Sequence, residues 1–385
     1  MSFDKIHVKT VLIFEHSLSG HRFEYICHIF NKAVLQPTVN FIFALPKLPL
    51  ELRSVINFEG YQNIELIVIG DTPKSAGLFL SSLRMTKSIR NIVKKHKVTD
   101  VFLPSFTSFL PFIGIMLNNV SISGIIYTMY LYEWKEKTWI IKMKNVLIYT
   151  ILARRKIFKN IYLLNDTISV RYINKIYRTN KFSFLPDPFH NMSDDNLSSI
   201  RGELDINDDV QVFLHFGALS ERKGTLEILK GIKLMDERSL ENKCFIFAGK
   251  VVESIKTEFY SLLSEVTERT QILCFDKFCD YSFISALCVS SDYLLMPYKV
   301  TTQSSGVIGY AAKYNIPVIA PRENLIGRLV RQYELGYTIT LPDAYYIANF
   351  LNDIGSIKHK DISKTYLKAN SIESFKDVIM TNILK

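Results

Sequence analysis

Apolar runs alternate with helical patterns along the first half of the chain. The runs include KTVLIFEH, NFIFAL, IELIVIG, DVFLPS, GIIYTMY and IYLL, and segments such as GHRFEYICHIFNKAV lie between them. Strands of this kind, without polar alternation, are typical of parallel sheets covered by helices on both faces. The pattern predicts a doubly wound α/β domain.

The second half repeats the pattern with VFLHFG, CFIFAG, QILCFD, YLLMPY and IPVIAP. Between the halves, FSFLPDPFH carries Pro186 and Pro188 and is followed by a polar stretch, which indicates a domain junction. We therefore expect an N-terminal Rossmann-like domain over residues 1–185 and a second over 186–365. Residues 366–385 are expected to form a C-terminal helix that packs back on the first domain.

The segment HFGALSERKGTLEILKGI, residues 215–232, predicts a turn between a buried strand and a helix. Arg222 and Lys223 lie in that turn, next to Gly224. Free backbone N–H groups at a helix start attract anions, and the basic pair adds charge, so the turn suits a phosphate. A solvated loop with a glycine is the alternative interpretation.

A second loop with anion-binding character follows the strand MPY. It carries Ser304, Ser305 and Gly306, and VIGYAAKY reads as the next helix. Serine hydroxyls and free N–H groups at a helix start can hold a phosphate, although an ordinary serine N-cap has the same pattern. Both loops follow strands of one domain, at the edge where open α/β sheets bind ligands.

Together these two segments resemble the donor-binding half of the family-4 retaining glycosyltransferases, which have the GT-B fold of two facing Rossmann-like domains. FLPDPF is similar to the short proline-containing crossover of that family, and SGHRFEYICHIF to its first glycine loop and helix. The resemblance implies a nucleotide-diphosphate sugar bound by the C-terminal domain and an acceptor bound by the N-terminal one. It also implies transfer with retention, no metal and no further cofactor.

The resemblance assigns donor-binding roles to several positions. Lys223 matches the phosphate lysine, whereas the usual arginine falls on Ala218, so Arg222 is expected to supply that charge. Gly20 matches the glycine that allows the N-terminal loop to approach the donor closely. The remaining implied donor contacts are Gly217, Ser304, Ser305, Gly306 and Val307.

Three positions depart from the pattern of the family. Thr302 and Tyr310 replace two glutamates that hold the sugar and ribose hydroxyls, and Tyr130 replaces a histidine credited with contacting the transferred sugar. We expect these hydroxyls to contact the donor, and we expect Tyr130 to act with Arg222 and Lys223 in catalysis. The departures also leave open a member that binds the donor without turnover.

On the acceptor side, His21 and Glu133 are candidates, and Glu15 lies near the end of the first strand. A helix cap for His21 and structural carboxylates for Glu15 and Glu133 are the alternatives. No separate carboxylate nucleophile is evident. Since the cleft is also poor in acid/base carboxylates and histidines, a sugar-nucleotide epimerase ranks below a transferase.

Composition narrows the partners and the location. The 385 residues suit two domains, and the net charge of +10 favours anionic partners such as nucleotides or phospholipids. Nucleic acid ranks lowest, because zinc-finger spacing and RNA-binding aromatic motifs are missing from the sequence. The five scattered cysteines are expected to be reduced core thiols, without a zinc site.

Two basic amphipathic stretches, residues 83–97 and 134–162, suit an anionic membrane surface or, alternatively, packing on the sheet with lysines in water. The sequence shows neither a signal peptide nor a membrane span. We therefore expect a cytoplasmic location, peripheral on the inner face of the membrane, and a saccharide or lipid-linked acceptor in cell-surface polysaccharide assembly.

Overall fold

The computed structural model describes residues 9–18, 21–49, 52, 55–70, 77–135, 137–189, 197–356 and 362–384. The chain divides into two compact units. Unit 1 comprises residues 1–186 and 372–385, and unit 2 comprises residues 187–371. Both are built on parallel sheets with helices between the strands, as the apolar runs predict.

Unit 1 contains a seven-stranded parallel sheet in the order β3-β2-β1-β4-β5-β6-β7 within the described residues. Its strands are β1 Thr10–Phe14, β2 Asn40–Pro46, β3 Ile64–Ile69, β4 Asp100–Leu103, β5 Ser121–Ile126, β6 Phe158–Leu164 and β7 Phe182–Leu185. Its helices are α1 His21–Ala33, α2 Leu78–His96, α3 Ile113–Met116, α4 Trp139–Arg154 and α5 Thr167–Tyr177. Buried side chains cover both faces of this sheet.

Unit 2 contains a six-stranded parallel sheet in the order β10-β9-β8-β11-β12-β13, again within the described part of the chain. Its strands are β8 Gln211–Phe216, β9 Lys243–Ala248, β10 Gln271–Phe275, β11 Tyr293–Leu295, β12 Val318–Pro321 and β13 Gly336–Ile339. Its helices are α6 Thr225–Leu234, α7 Glu237–Leu240, α8 Lys256–Thr267, α9 Tyr281–Val289, α10 Val307–Tyr314, α11 Asn324–Gln332, α12 Ala344–Asp353 and α13 Thr365–Ala369.

The last helix, α14 Ile372–Leu384, belongs to unit 1. Its side chains Phe375, Ile379 and Met380 are buried in the same cluster as β1 and α1, and the ring of Phe375 lies 4.9 Å from that of Tyr25. The chain thus leaves unit 1 after β7, forms unit 2 and returns to complete the core of unit 1.

The stretch 134–162 is not one continuous helix. Helix α4 occupies Trp139–Arg154, and β6 begins at Phe158. The five cysteines are free thiols, of which Cys244 and Cys288 are buried.

Candidate functional site

The strand order of unit 2 reverses between β8 and β11, which are hydrogen-bonded neighbours. In doubly wound sheets the connections from two such strands run to opposite faces and leave a crevice at their carboxyl ends. The loops that follow β8 and β11 are the two anion-binding candidates of the sequence. The backbone N–H of Lys299 in the second loop donates to the carbonyl of Arg222 in the first at 2.9 Å, which joins them.

Two glycines shape the first loop. Gly217 has a φ of +94° and Gly224 a φ of +71°, and both values lie in the left-handed region. A Cβ at Gly224 would collide with the carbonyl of Pro297, and one at Gly217 with the ammonium of Lys223. Between the glycines, Glu221–Lys223 forms one 3-10 turn, after which α6 begins at Thr225. The expected turn between strand and helix is therefore present.

The two basic residues of the loop have different surroundings. Lys223 is half-buried, and its Nζ donates to the carbonyl of Phe216 at 3.1 Å and lies 5.5 Å from the ring centre of Tyr298. Arg222 is exposed, and its guanidinium has no hydrogen-bond partner or ion pair among the described residues. Lys223 is thus held at the end of β8, while Arg222 remains available to a ligand.

A buried hydrogen-bond chain fixes the loop from below. His215, 1% exposed near the carboxyl end of β8, contacts the carbonyl of Leu295 through Nδ1 and the hydroxyl of Thr225 through Nε2, both at 2.9 Å. Burial lowers the pKa of His215 to about 3, so the imidazole is neutral.

The directions of these bonds follow from the neutral ring. A carbonyl only accepts, so Nδ1 carries the proton and Nε2 accepts from the hydroxyl of Thr225. That hydroxyl in turn accepts from the backbone N–H of Ser220 at 2.9 Å. The chain therefore connects β11, β8 and the start of the basic turn.

The second loop ends at the short helix α10. Ser305 Oγ accepts from the N–H of Val307 at 3.4 Å and lies 3.3 Å from the hydroxyl of Tyr298. The N–H of Ile308 is taken by the carbonyl of Ser305, whereas those of Ser305 and Gly306 have no partner within the described ranges. Ser304 and Ser305 are half-buried. Unsatisfied N–H groups beside the Lys223 loop match the chemistry of a phosphate cradle.

The two positions that replace glutamates lie close to this cradle but differ in role. Thr302 is buried, and its hydroxyl has no partner among the described residues. The ring of Tyr310 packs 5.0 Å from that of Phe189 and 5.2 Å from that of Phe216, the residue that accepts from Lys223. Thr302 thus has an unused hydroxyl, whereas the ring of Tyr310 packs against two neighbouring aromatic rings.

Two ion pairs that share Lys299 lie beside the basic turn. Lys299 Nζ is 2.8 Å from Glu227 and 3.5 Å from Glu221, and the hydrogen bond to Glu227 raises the pKa of Lys299. Both carboxylates pair with Lys299, and neither forms an ion pair with Arg222 or Lys223.

Among the described candidates of unit 1, Tyr130 and Glu133 each contact a neighbouring side chain. The hydroxyl of Tyr130 lies 2.9 Å from that of Tyr177, and burial raises its pKa. Glu133 pairs with Lys137 at 2.9 Å. His21 begins α1, but its side chain lies outside the described residues, as does Gly20.

Glu15 is a polar residue whose burial the sequence did not indicate. It is 0% exposed at the end of β1, next to β4, where the strand order of unit 1 reverses. Its Oε1 accepts from the N–H groups of His16 and Ser17, whereas Oε2 has no partner among the described residues. Ser105, just after β4, is likewise buried with an unpartnered hydroxyl. A buried carboxylate oxygen without a donor is costly and is typical of functional sites.

Within the described residues, no helix is long and apolar enough to cross a membrane. Nor does any cluster of His, Cys, Asp or Glu in these ranges have the arrangement of a metal site.

Solved structures share this fold. HepE from Anabaena, in complex with UDP, aligns over 98% of this chain and 99% of its own, with a TM-score of 0.70 and 14% identity. A glycosyltransferase from Rickettsia africae aligns over 98% and 99%, with a TM-score of 0.66 and 14% identity. WaaG, a glycosyltransferase involved in lipopolysaccharide biosynthesis, aligns over 97% and 95%, with a TM-score of 0.62 and 14% identity.

No family model and no curated protein matches this sequence. At 14% identity the structural likeness establishes the fold. The chain has the GT-B fold, with two Rossmann-like parallel-sheet domains, which confirms the fold class expected from the sequence.

Proposed function

We propose that this protein is a glycosyltransferase that moves a sugar from a nucleotide-diphosphate sugar, UDP- or GDP-linked, to a saccharide or lipid-linked acceptor. The observation that carries the proposal is the pair of joined loops at the switch point of unit 2. They combine the charges of Arg222 and Lys223 with free N–H groups at Ser305 and Gly306. A diphosphate offers the two adjacent anionic groups that such a pair of loops can bind.

The structures of similar fold support a nucleotide-sugar donor. HepE has been solved with UDP, with UDP and glucose, and with UDP-glucose. The identity of these proteins to this chain is 14%, so the donor is assigned here from the local chemistry of unit 2, and the likeness adds to it.

In the proposed reaction the bond between the sugar and the diphosphate breaks, and a bond to an acceptor hydroxyl forms. Negative charge develops on the leaving diphosphate, and Arg222, Lys223 and the amides of the second loop stabilise it. Lys223 is already oriented by Phe216 and Tyr298, so little reorganisation is needed. Retention and independence of metal follow from the resemblance to family-4 enzymes and are part of the proposal.

We assign acceptor binding to unit 1. Glu15 has an unused carboxylate oxygen at the switch point of that unit, and an acceptor hydroxyl can donate to it. Tyr130 is the sugar-contacting candidate, and to fill that role its hydroxyl must exchange Tyr177 for the ligand.

Donor binding tests the proposal. UDP, GDP, ADP and their common sugar conjugates are added to the purified protein without metal, and melting is followed. A ligand that binds only the native state raises the melting temperature. We expect one base to give a shift of several degrees, and the double variant Arg222→Ala/Lys223→Ala to lose it while remaining folded.

The matched control is Arg238→Ala/Lys256→Ala, which removes one exposed and one half-buried basic side chain elsewhere in unit 2. It is expected to keep the full shift. Equal shifts in both double variants would contradict the phosphate assignment, and silence across the panel with a folded protein would contradict the donor itself.

Thr302 and Tyr310 favour a second candidate, a binding protein that has lost turnover. Neither offers the carboxylate that grips a sugar diol, and the ring of Tyr310 is packed between Phe189 and Phe216. Donor binding with neither hydrolysis nor transfer across a broad acceptor panel would support this candidate. Interconversion of the sugar nucleotide without acceptor would instead indicate an epimerase.

A further inference from the structure

A pocket of about 520 Å³ opens at the amino ends of the strands of unit 1. It lies on the face that carries α14, between the starts of β1, β4, β5 and β6 and the last turn of that helix. Asn382 and Ile383 form its helical side. Cavities of this size accommodate small ligands.

Five of the eight strand residues that line the pocket are polar, although strands of a covered parallel sheet are normally apolar throughout. The register places Val11, Asp100 and Ser121 side by side on β1, β4 and β5. In the next row of the same face, Ser123 lies beside Phe102, and its Oγ accepts from the N–H of Asn160 at 3.2 Å. The helix contributes one polar and one apolar residue, Asn382 and Ile383, and leaves a recess lined mainly by polar side chains.

The hydrogen-bonding groups of the recess are only partly used. Asp100 Oδ2 accepts from Thr99 at 2.8 Å and lies 3.6 Å from Lys9 Nζ, which leaves Oδ1 without a partner among the described residues. The amide nitrogen of Asn382 donates to the carbonyl of Val378, so its oxygen faces away from that bond. The hydroxyl of Ser121 and the side-chain amide of Asn160 have no partners within the described ranges.

The charge of the recess is positive. Lys9 is neutralised by Asp100, whereas Lys159 has no carboxylate partner in the described part of the chain. Burial lowers the pKa of Lys181, and the nearby charge of Lys159 lowers it further. One unpaired cation beside a group of hydroxyl, amide and carboxylate acceptors and donors suits a ligand with one anionic group and several hydroxyls.

We propose that this pocket is a second ligand site, and that it binds a phosphorylated monosaccharide. The phosphate lies at Lys159, and the sugar hydroxyls bond to Asp100, Ser121 and Asn160. The site is separate from the acceptor candidates of the same unit, because β1 lies between Lys9 at the pocket and Glu15 at the opposite edge, which are about 20 Å apart. The proposal does not depend on the identity of the nucleotide donor.

The probes are glucose 6-phosphate and galactose 1-phosphate, with the parent sugar, glucose or galactose, and inorganic phosphate as the two halves of each. Binding is measured by titration calorimetry on the full chain, saturated with whichever nucleoside diphosphate raises its melting temperature, which excludes occupation of a donor site. We expect at least one hexose phosphate to bind more than tenfold more tightly than either half. Hydrogen exchange is expected to slow at residues 121–123 and 378–384.

Lys159→Glu reverses the unpaired charge on an exposed residue and is expected to weaken the binding of hexose phosphate at least tenfold. Ser121→Leu fills the recess and is expected to do the same. The matched control is Lys95→Glu, an exposed lysine of α2, which should leave binding unchanged.

Absence of binding by both hexose phosphates, or equal affinity in Lys159→Glu and the unaltered protein, would overturn the proposal. Binding of inorganic phosphate as tightly as hexose phosphate would overturn the assignment of the sugar.

Discussion

His215 shows how one buried polar residue supports a surface loop. It stands inside the apolar run QVFLHF, where its type alone indicated neither a ligand contact nor a structural role. In the structure its ring links Leu295 to Thr225, and Thr225 links it to Ser220 at the start of the basic turn. We infer that His215 is a positioning residue for Arg222 and Lys223.

The low pKa of His215 makes the stability of the protein depend on pH. The pKa is about 3 in the folded state and about 6.5 in the unfolded chain, so below pH 6.5 the unfolded chain binds the extra proton. This contribution to stability is complete above pH 6.5 and is lost as the pH falls towards 3. Between pH 7 and 5 the loss amounts to about 2 kcal/mol, because it begins near pH 6.5 and proceeds at about 1.4 kcal/mol per pH unit.

His215→Gln tests this origin by urea unfolding followed by circular dichroism at pH 7 and pH 5. We expect the variant to be less stable at pH 7 by about 1–3 kcal/mol, since the hydrogen-bond chain is disturbed. Between pH 7 and pH 5 its free energy of unfolding should fall by about 2 kcal/mol less than that of the unaltered protein. An unchanged pH dependence would show that His215 is not the group responsible.

At the level of single residues, the sequence predicted the basic pair in its turn because a strand, a glycine and a helix follow one another there. It did not predict the burial of Glu15, because HSLSG after β1 reads as an ordinary polar loop. Burial of a carboxylate depends on neighbours such as β4, which are distant in sequence.

Among the secondary-structure elements, the strands with long apolar runs could be predicted from the sequence. The strands β7 and β13 escaped the sequence pattern, because each spans four residues and contains polar or small positions, as in FSFL and GYTI. Their place is set by pairing with β6 and β12, a long-range effect that a local pattern does not carry.

Helix α4 is half covered. Its second half buries Tyr149 and Leu152 in the core of unit 1. Near its start, Trp139 and Ile140 are each 73% exposed. Met143 and Leu147 are also exposed, although less so. Trp139, Met143 and Leu147 are spaced by four residues and therefore share one side. Packing on the sheet thus accounts only for the second half.

We propose that this exposed stripe, with Lys142 and Lys144 beside it, binds an anionic membrane surface. Sedimentation with vesicles of phosphatidylglycerol and phosphatidylcholine checks the proposal. We expect the protein to bind the anionic vesicles, less so at high salt because screening weakens the lysine contribution. The variant Trp139→Glu/Leu147→Glu should bind at least tenfold more weakly.

Phe278→Glu is the control for that experiment, because Phe278 is an equally exposed apolar residue, 88% accessible, in unit 2. It should bind vesicles as the unaltered protein does. A parallel loss in both variants would point to a general effect of added negative charge and contradict the stripe.

On the scale of the whole molecule, α14 ties the end of the chain to its beginning. Phe375 and Ile379 are fully buried in unit 1, so the core of that unit includes residues from both sides of unit 2. The prolines at 186 and 188 indicated where unit 2 begins. The return of the chain was an expectation for residues 366–385, and the helix that packs on unit 1 is Ile372–Leu384.

Phe375→Ala is expected to destabilise unit 1 by about 3–5 kcal/mol, the usual loss for a buried phenylalanine. Both tryptophans, Trp134 and Trp139, lie in unit 1, so their fluorescence reports the melting of that unit. We expect the fluorescence midpoint to fall by at least about 5 °C. Glu373→Ala, an exposed change on the same helix, should leave it in place, and equal midpoints in both variants would contradict the packing of α14.

The return of α14 also sets the order in which the protein can mature during its synthesis. A nascent chain that has emerged only as far as residue 371 contains all of unit 2 but lacks the residues that cover the apolar faces of α1 and β1. At ordinary translation rates, about 10–40 s separate residue 186 from residue 385. During that interval part of the core of unit 1 stays exposed and accessible to chaperones. Unit 2, although it is synthesised later, is the first unit whose residues are all available for folding.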